Sequence, residues 1–515
     1  MWTPPLNPFE NMLVSFLVAL TPILALMILL VIFRIPGYKA ALLASLVAFI
    51  IALLVYGMPF EMALFSYLYG VLFGLWPISW IVINAMILFN LAERTGSLRY
   101  LERWMIKYTL GNKGIQALFI AFLFGSLIEG VDGYGFPIAI ASALLIRLGF
   151  NPLSAVLVAL LANTITVPFA SLGVPLITLS LVTGLNLHKL AVYASFQLMI
   201  FSVIIPFLII KFVNKQDIWK IIDITLLSGL VLGVMVYLIS VYISPYIPGL
   251  LAPIISMIFI LMYMRIRFQK VIMESDLGLR ESIYGWVPWI YVTFLMLVSI
   301  ALGITKLFTI EVKVPYLHEQ VYIELYGKAY SAIYKWSPIS HGTLVLCAII
   351  LTVLTFKVGL KTLVSTATST LRQLKSAILT ILAVVGLAFL MNYSGMSLTL
   401  GYSLSILKGV YPFAAAIIGW IGTFITGSST GSNALFGGLQ RISAEMIGLS
   451  PYLIAATNST GGVLGKIVSL QSIAIGVSAV NLTGKEGEAM RKLLPYSLTL
   501  ALLLGLLTFI QSILT

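Results

Sequence analysis

The chain has 515 residues, 60% hydrophobic and only 9% charged, with a mean hydropathy of +1.08. That is too little polar surface to cover a soluble domain and too much apolar side chain for a disordered one. The net charge of +13 would suit nucleic acid in a soluble protein; in a chain this apolar it reads as topogenic charge, and no nucleic-acid partner is expected. One cysteine, Cys347, excludes an intrachain disulfide, and His188, His318 and His341 are scattered without metal-ligand spacing, so no metal or cofactor is expected.

Residues 1–11 carry no Lys or Arg but three prolines, Pro4, Pro5 and Pro8, unlike the basic start of a signal peptide; the first apolar segment is therefore read as retained. Roughly 20 apolar residues cross a bilayer as a helix. The stretches 12–33, 39–56, 189–212, 223–243, 249–265, 286–304, 340–357, 374–392 and 490–514 meet that length, and 63–92 does so with a bend at Trp76-Pro77. The stretches 152–184 and 450–480 are long and rich in Gly, Asn and Thr, and read as broken spans. Drawn as 12 full crossings with both termini outside, and with 115–147 and 411–437 entering and leaving on one face, 22 of the 30 basic residues fall on the inner side. The fold expected is an all-α polytopic membrane protein with two re-entrant hairpins. The loop 305–337 reads as a plain solvated outer loop.

Two regions echo each other at an offset near 300. Thr95-Gly96-Ser97 is matched by Tyr393-Ser394-Gly395, Gly125-Ser126 by Gly427-Ser428, Gly149-Phe150-Asn151-Pro152 by Gly448-Leu449-Ser450-Pro451, and Asn163-Thr164 by Asn458-Ser459. In the drawing the two copies run in opposite directions, which is an inverted-topology repeat with its site where the copies meet. The chain divides accordingly into scaffold helices 1–62, a first repeat 63–184, scaffold 185–373, a second repeat 374–480 and a last helix 481–515.

Irregular backbone at membrane depth needs protein or a water-filled cavity to satisfy it. The stretch from Gly125 to Pro137 holds four glycines and a proline, and is expected to break the helix around Glu129 and Asp132. These are the only two of the 17 acidic residues placed at depth, where one charge costs about 2.5–3.5 kcal/mol or more. Three positions apart, they are close enough to couple, and one is expected to hold a proton. The stretch from Thr426 to Asn433 has no charge but is dense in short donors, and a helix N-terminus there would offer free N–H groups to an anion. Asn163-Thr164 and the run from Asn458 to Lys466 interrupt the two broken spans. Lys466, the one basic residue unable to reach an interface, would pair a substrate carboxylate or one of the acids; Gly461 and Gly465 also form a G-x-x-x-G helix contact.

These motifs resemble the lactate permeases, carriers of L-lactate, D-lactate and glycolate, nearly end to end. The likeness runs through Tyr69 to Trp80, the Glu129 motif to Pro137, Leu148 to Pro152, Asn163-Thr164, Asn392 to Gly395, Ser432 to Phe436, Asn458 to Lys466 and Gln471 to Ala474. The resemblance implies proton-coupled uptake of 2-hydroxymonocarboxylates across the cell membrane. It also implies kinship with a wider transporter group that uses paired re-entrant hairpins and often an elevator-like motion. Proton coupling falls to Glu129, shared with Asp132. The candidate substrate contacts are Gly133, Tyr134, Asn163, Thr164, Ser428, Ser429, Thr430, Ser432, Asn433, Asn458, Ser459, Lys466 and Gln471. The sequence departs from the family in carrying Asp132 where small residues are expected, and Ser428-Ser429-Thr430 where Gly-Ser-Asp-Thr is expected, as if a carboxylate had moved from one hairpin to the facing one. The partners implied are the small substrate, a proton and the lipid bilayer, and a homodimer is compatible with them. The alternative is a Na⁺-coupled carrier of another anion. A membrane enzyme is disfavoured, since no Ser-His, Cys-His or H-E-x-x-H arrangement is present.

Overall fold

A computed structural model of the chain describes residues 1–107, 109, 112–131, 133, 135–213, 219–268, 278–324 and 327–514. In hydrocarbon the backbone must satisfy its own polar groups, and so apolar runs become helices. Among the described residues twelve helical segments are long and apolar enough to cross a membrane, or thirteen if the bent pair Pro152–Ala162 and Val167–Thr183 is one span. Most coincide with the spans expected from sequence. Three differ in kind: Lys113–Val131 and Met396–Thr426, which overlap the expected re-entrant regions 115–147 and 411–437, are long and apolar enough to be spans, whereas His341–Thr355 is a shorter helix.

One order of elements occurs twice. Helix Phe60–Phe73, a wide turn Gly74–Ser79 and helix Trp80–Arg94 precede a hairpin of Lys113–Val131 and Phe136–Arg147, then the broken pair Pro152–Ala162 and Val167–Thr183. Helix Leu360–Ser394 likewise precedes a hairpin of Tyr411–Thr426 and Ser429–Met446, then Pro451–Lys466 and Leu470–Ala479. The caps match too. Gly96 and Gly395 both have positive φ after the long helix, as do Gly149 and Gly448 after the hairpin. Asn151 and Ser450 both cap the next helix with a side-chain oxygen, ahead of Pro152 and Pro451.

Three local readings are corrected. Gly125–Val131 is helical, so the first break is narrower than the glycine content suggested, and Glu129 sits on the last turn before it. The run from Asn458 to Gly465 is continuous helix within Pro451–Lys466, and the break follows it, at Ile467 to Ser469. The small residues there serve contact: a Cβ on Gly461 would overlap the Ala416 carbonyl oxygen, and one on Gly465 that of Trp420. Finally, 305–337 is not a plain solvated loop. Ile310–Lys313 pairs antiparallel with Ile333–Trp336, and Tyr322–Ile323 with Lys328–Ala329, burying Leu317, Val321 and Ala332. Trp2 adds a bridge to Val321. The layer is tied to the bent helix by Tyr69 Oη to the Ile333 carbonyl (2.9 Å), Trp76 Nε1 to the Ser337 carbonyl (2.9 Å) and Tyr334 Oη to the Trp76 carbonyl (3.0 Å).

Candidate functional site

The breaks in the helices meet at one cavity of about 440 Å³. Gly133, Gly135 and Phe136 of the first hairpin and Thr426 to Thr430 of the second line it, together with Val167, Ala170, Ser171, Val174 and Pro175 of one broken pair and Lys466, Gln471 and Ser472 of the other. Tight turns allow this convergence. Gly427 has φ +69° and packs so closely on Gln471 that a Cβ would overlap its amide; Gly135, at φ +88°, meets Ile475 in the same way.

The first residues of three helices therefore face the cavity: Phe136–Arg147, Ser429–Met446 and Leu470–Ala479. Each brings unpaired N–H groups and the positive end of a helix dipole, worth roughly 0.3–1 kcal/mol to an anion. In the second hairpin Ser428 caps its helix by accepting from Gly431 N at 3.1 Å, and Thr426 Oγ1 accepts from Ser428 N at 3.2 Å. Ser429 Oγ is buried with no hydrogen-bond partner among the described residues.

One charge pair lies in the wall. Glu129 is fully buried and Lys466 is 5% exposed. Lys466 Nζ donates to Glu129 Oε1 at 2.6 Å, and Asn163 Nδ2 donates to Glu129 Oε2 at 2.8 Å. Lys466 ends its helix, where the dipole favours a cation. Asn163 sits where Pro152–Ala162 stops, and its Oδ1 has no partner among the described residues. Glu129 thus receives one donor from each of the two broken pairs.

The candidates separate into two groups. Glu129, Gly133, Ser428, Ser429, Thr430, Lys466 and Gln471 share the cavity lining. Asn163 stands one bond behind, on Glu129. Ser432 donates to the Gly419 carbonyl and so ties the two arms of the second hairpin, while Asn433 donates to the Pro175 carbonyl and Ser459 Oγ, and Asn458 to Asn433 Oδ1, fastening the hairpin to its neighbours. Thr164 Oγ1 turns back to the Leu161 carbonyl. Asp132 and Tyr134 lie outside the described residues. The cavity also has lining that the sequence reading missed. Gln373, Ser376 and Thr380 contribute from helix Leu360–Ser394, and their helical spacing along an apolar span is the signal that could have found them. Ser171 had no such signal: it enters through a left-handed run with Leu172 and Gly173.

A family model described as L-lactate permease matches residues 15–515. The chain belongs to the L-lactate permease family. Among curated relatives, this permease is 35% identical to the L-lactate permease of Bacillus subtilis strain 168, over 99% of this chain and 98% of that one. It is 34% identical to the glycolate permease GlcA of Escherichia coli K12 and 33% identical to that organism's L-lactate permease, with the same coverage in both. Among solved structures it aligns with the YdaH transporter of Alcanivorax borkumensis at 16% identity and a TM-score of 0.43, over 84% of each chain. The family is one of membrane transporters rather than enzymes, and this permease is a multi-pass integral membrane protein.

Proposed function

We propose that this permease is a proton-coupled symporter that takes up L-lactate, D-lactate and glycolate across the cell membrane. The observation that carries the proposal is the buried Lys466–Glu129 pair in the wall of a cavity faced by three helix N-termini. With Glu129 ionised, Lys466 is engaged, and a monocarboxylate entering would leave a net negative charge at depth. A proton on Glu129 releases the ammonium to the substrate carboxylate. Counted over Glu129, Lys466 and substrate, the site is neutral when empty and neutral when loaded only if one proton accompanies one monocarboxylate, and neutrality is what a low-dielectric site favours. The 2-hydroxyl then meets Ser429 Oγ, Thr430 and Gln471, all of which line the cavity.

The two sets of elements are an inverted-topology repeat with re-entrant hairpins, a reading supported by their shared order and matched caps. Both termini are outside. Gly37, Gln373 and Ser376 of the lining lie within two positions of Lys39, Arg372 and Lys375, basic residues that the charge rule puts inside, which supports a cavity that opens to the cytoplasm.

Uptake of labelled L-lactate into proteoliposomes tests this. Uptake should rise several-fold with an imposed gradient, acid outside, and without sodium. Uptake that ignores the pH gradient but requires sodium would replace the proton with Na⁺ as the coupled ion.

A further inference from the structure

Beyond the second hairpin tip the cavity continues into an annex of about 60 Å³. Seven residues line both spaces, among them Gly37, Thr380, Ile381, Ser428 and Thr430, so the two adjoin over a shared wall. The far wall is Leu26, Val384, Val385 and Ala434, all buried and all without a polar side-chain atom. One water-sized group needs ~10–15 Å³, so the annex holds several, more than the single methyl group of lactate uses. An apolar cavity of this kind offers water few hydrogen bonds and favours alkyl groups instead.

We infer that the annex receives the alkyl chain borne on C2 of the substrate. This rests on the reading of the main cavity as a 2-hydroxymonocarboxylate site. With the carboxylate at Lys466 and the hydroxyl at the second hairpin tip, C2 lies beside Ser428 and Thr430, where the annex begins. The carrier thus takes unbranched 2-hydroxy acids with chains of about two to four carbons beyond C2, and prefers them to glycolate. Val384 and Ala434, on facing helices, set the chain-length limit.

The test is competition against labelled glycolate uptake in proteoliposomes by glycolate, lactate, 2-hydroxybutyrate and 2-hydroxypentanoate. The inhibition constant should fall about two- to fourfold for each carbon added until the annex is full. Ala434→Leu fills the annex and should remove that gain while leaving glycolate uptake in place. Val384→Ala widens it and should move the optimum to a longer acid, an opposite change that a loss of folding does not produce. Glycolate uptake with a flat or rising series, or variants that scale every acid by one factor, would overturn the annex assignment alone. A wild-type protein that carries neither glycolate nor lactate would overturn the functional reading, and the annex with it.

Discussion

Lys466 and Glu129 stand 337 positions apart in sequence, yet their side chains meet at 2.6 Å with almost no exposure. A buried pair of this kind contributes little net stability, because desolvation offsets most of the attraction. Removing one partner is costly, because the other charge is left alone.

The pair therefore makes an asymmetric prediction. Lys466→Met should lower stability by about 3–5 kcal/mol, and Glu129→Gln by less, since Gln keeps a hydrogen-bonding group for Asn163. The double variant should recover most of the thermal stability of the purified protein, yet neither single nor double variant should respond to a pH gradient in uptake. A double variant no more stable than Lys466→Met would refute the charge argument.

Ser429 gives a prediction of the other sign. Its hydroxyl oxygen has no partner among the described residues, so Ser429→Ala breaks no hydrogen bond that they supply. The melting temperature should hold within the small range typical of neutral substitutions, while the KM for lactate rises roughly tenfold, about one hydrogen bond. A fall in stability with an unchanged KM would mark the side chain as structural.

The carboxyl exchange read between the two hairpins can be tested directly. Asp132→Ala should reduce uptake, and adding Ser429→Asp should restore part of it, because Ser429 and Gly133, the neighbour of Asp132, line the same cavity. If the double variant transports no better than Asp132→Ala, the two positions do not substitute for each other.

Packing of the second hairpin predicts a position-specific glycine effect. Gly465→Ala places a methyl against the Trp420 carbonyl and should cost about 1–3 kcal/mol, seen as a lower melting temperature. Gly487→Ala, in the last helix with no atom within 4 Å of the new carbon, should be neutral or slightly stabilising.

Much of this site was legible in the sequence because charge at depth is rare. Glu129 and Lys466 stand out by their positions inside apolar stretches, and the structure buries both at a cavity. Asn163 was legible as a candidate at a helix break, but its bond to Glu129 was not, because that bond depends on where the helix Pro152–Ala162 stops. Glycine was also over-read. Gly125, Gly461 and Gly465 lie in continuous helix, because a helix penalty of about 1 kcal/mol is smaller than the cost of unpaired backbone in lipid; of the two readings open for Gly461 and Gly465, the G-x-x-x-G helix contact is the one the packing matches. Polar residues on one face of a long helix, Gln373, Ser376 and Thr380, were passed over because no single one of them is unusual. The folded layer at 310–336 was hidden because the residues it bonds to, Tyr69 and Trp76, are more than two hundred positions earlier in the chain.

The contacts at Gly461 and Gly465 have a kinematic consequence. Backbone of Pro451–Lys466 rests on backbone of Tyr411–Thr426 at those two positions, leaving little slack there to absorb sliding. The two helices form one stiff lever, with the ammonium of Lys466 fixed at its end. Any change of access during a transport cycle must carry that lever as a whole, and the strain of the movement falls on its joints, Gly427 and the Ile467 to Ser469 link.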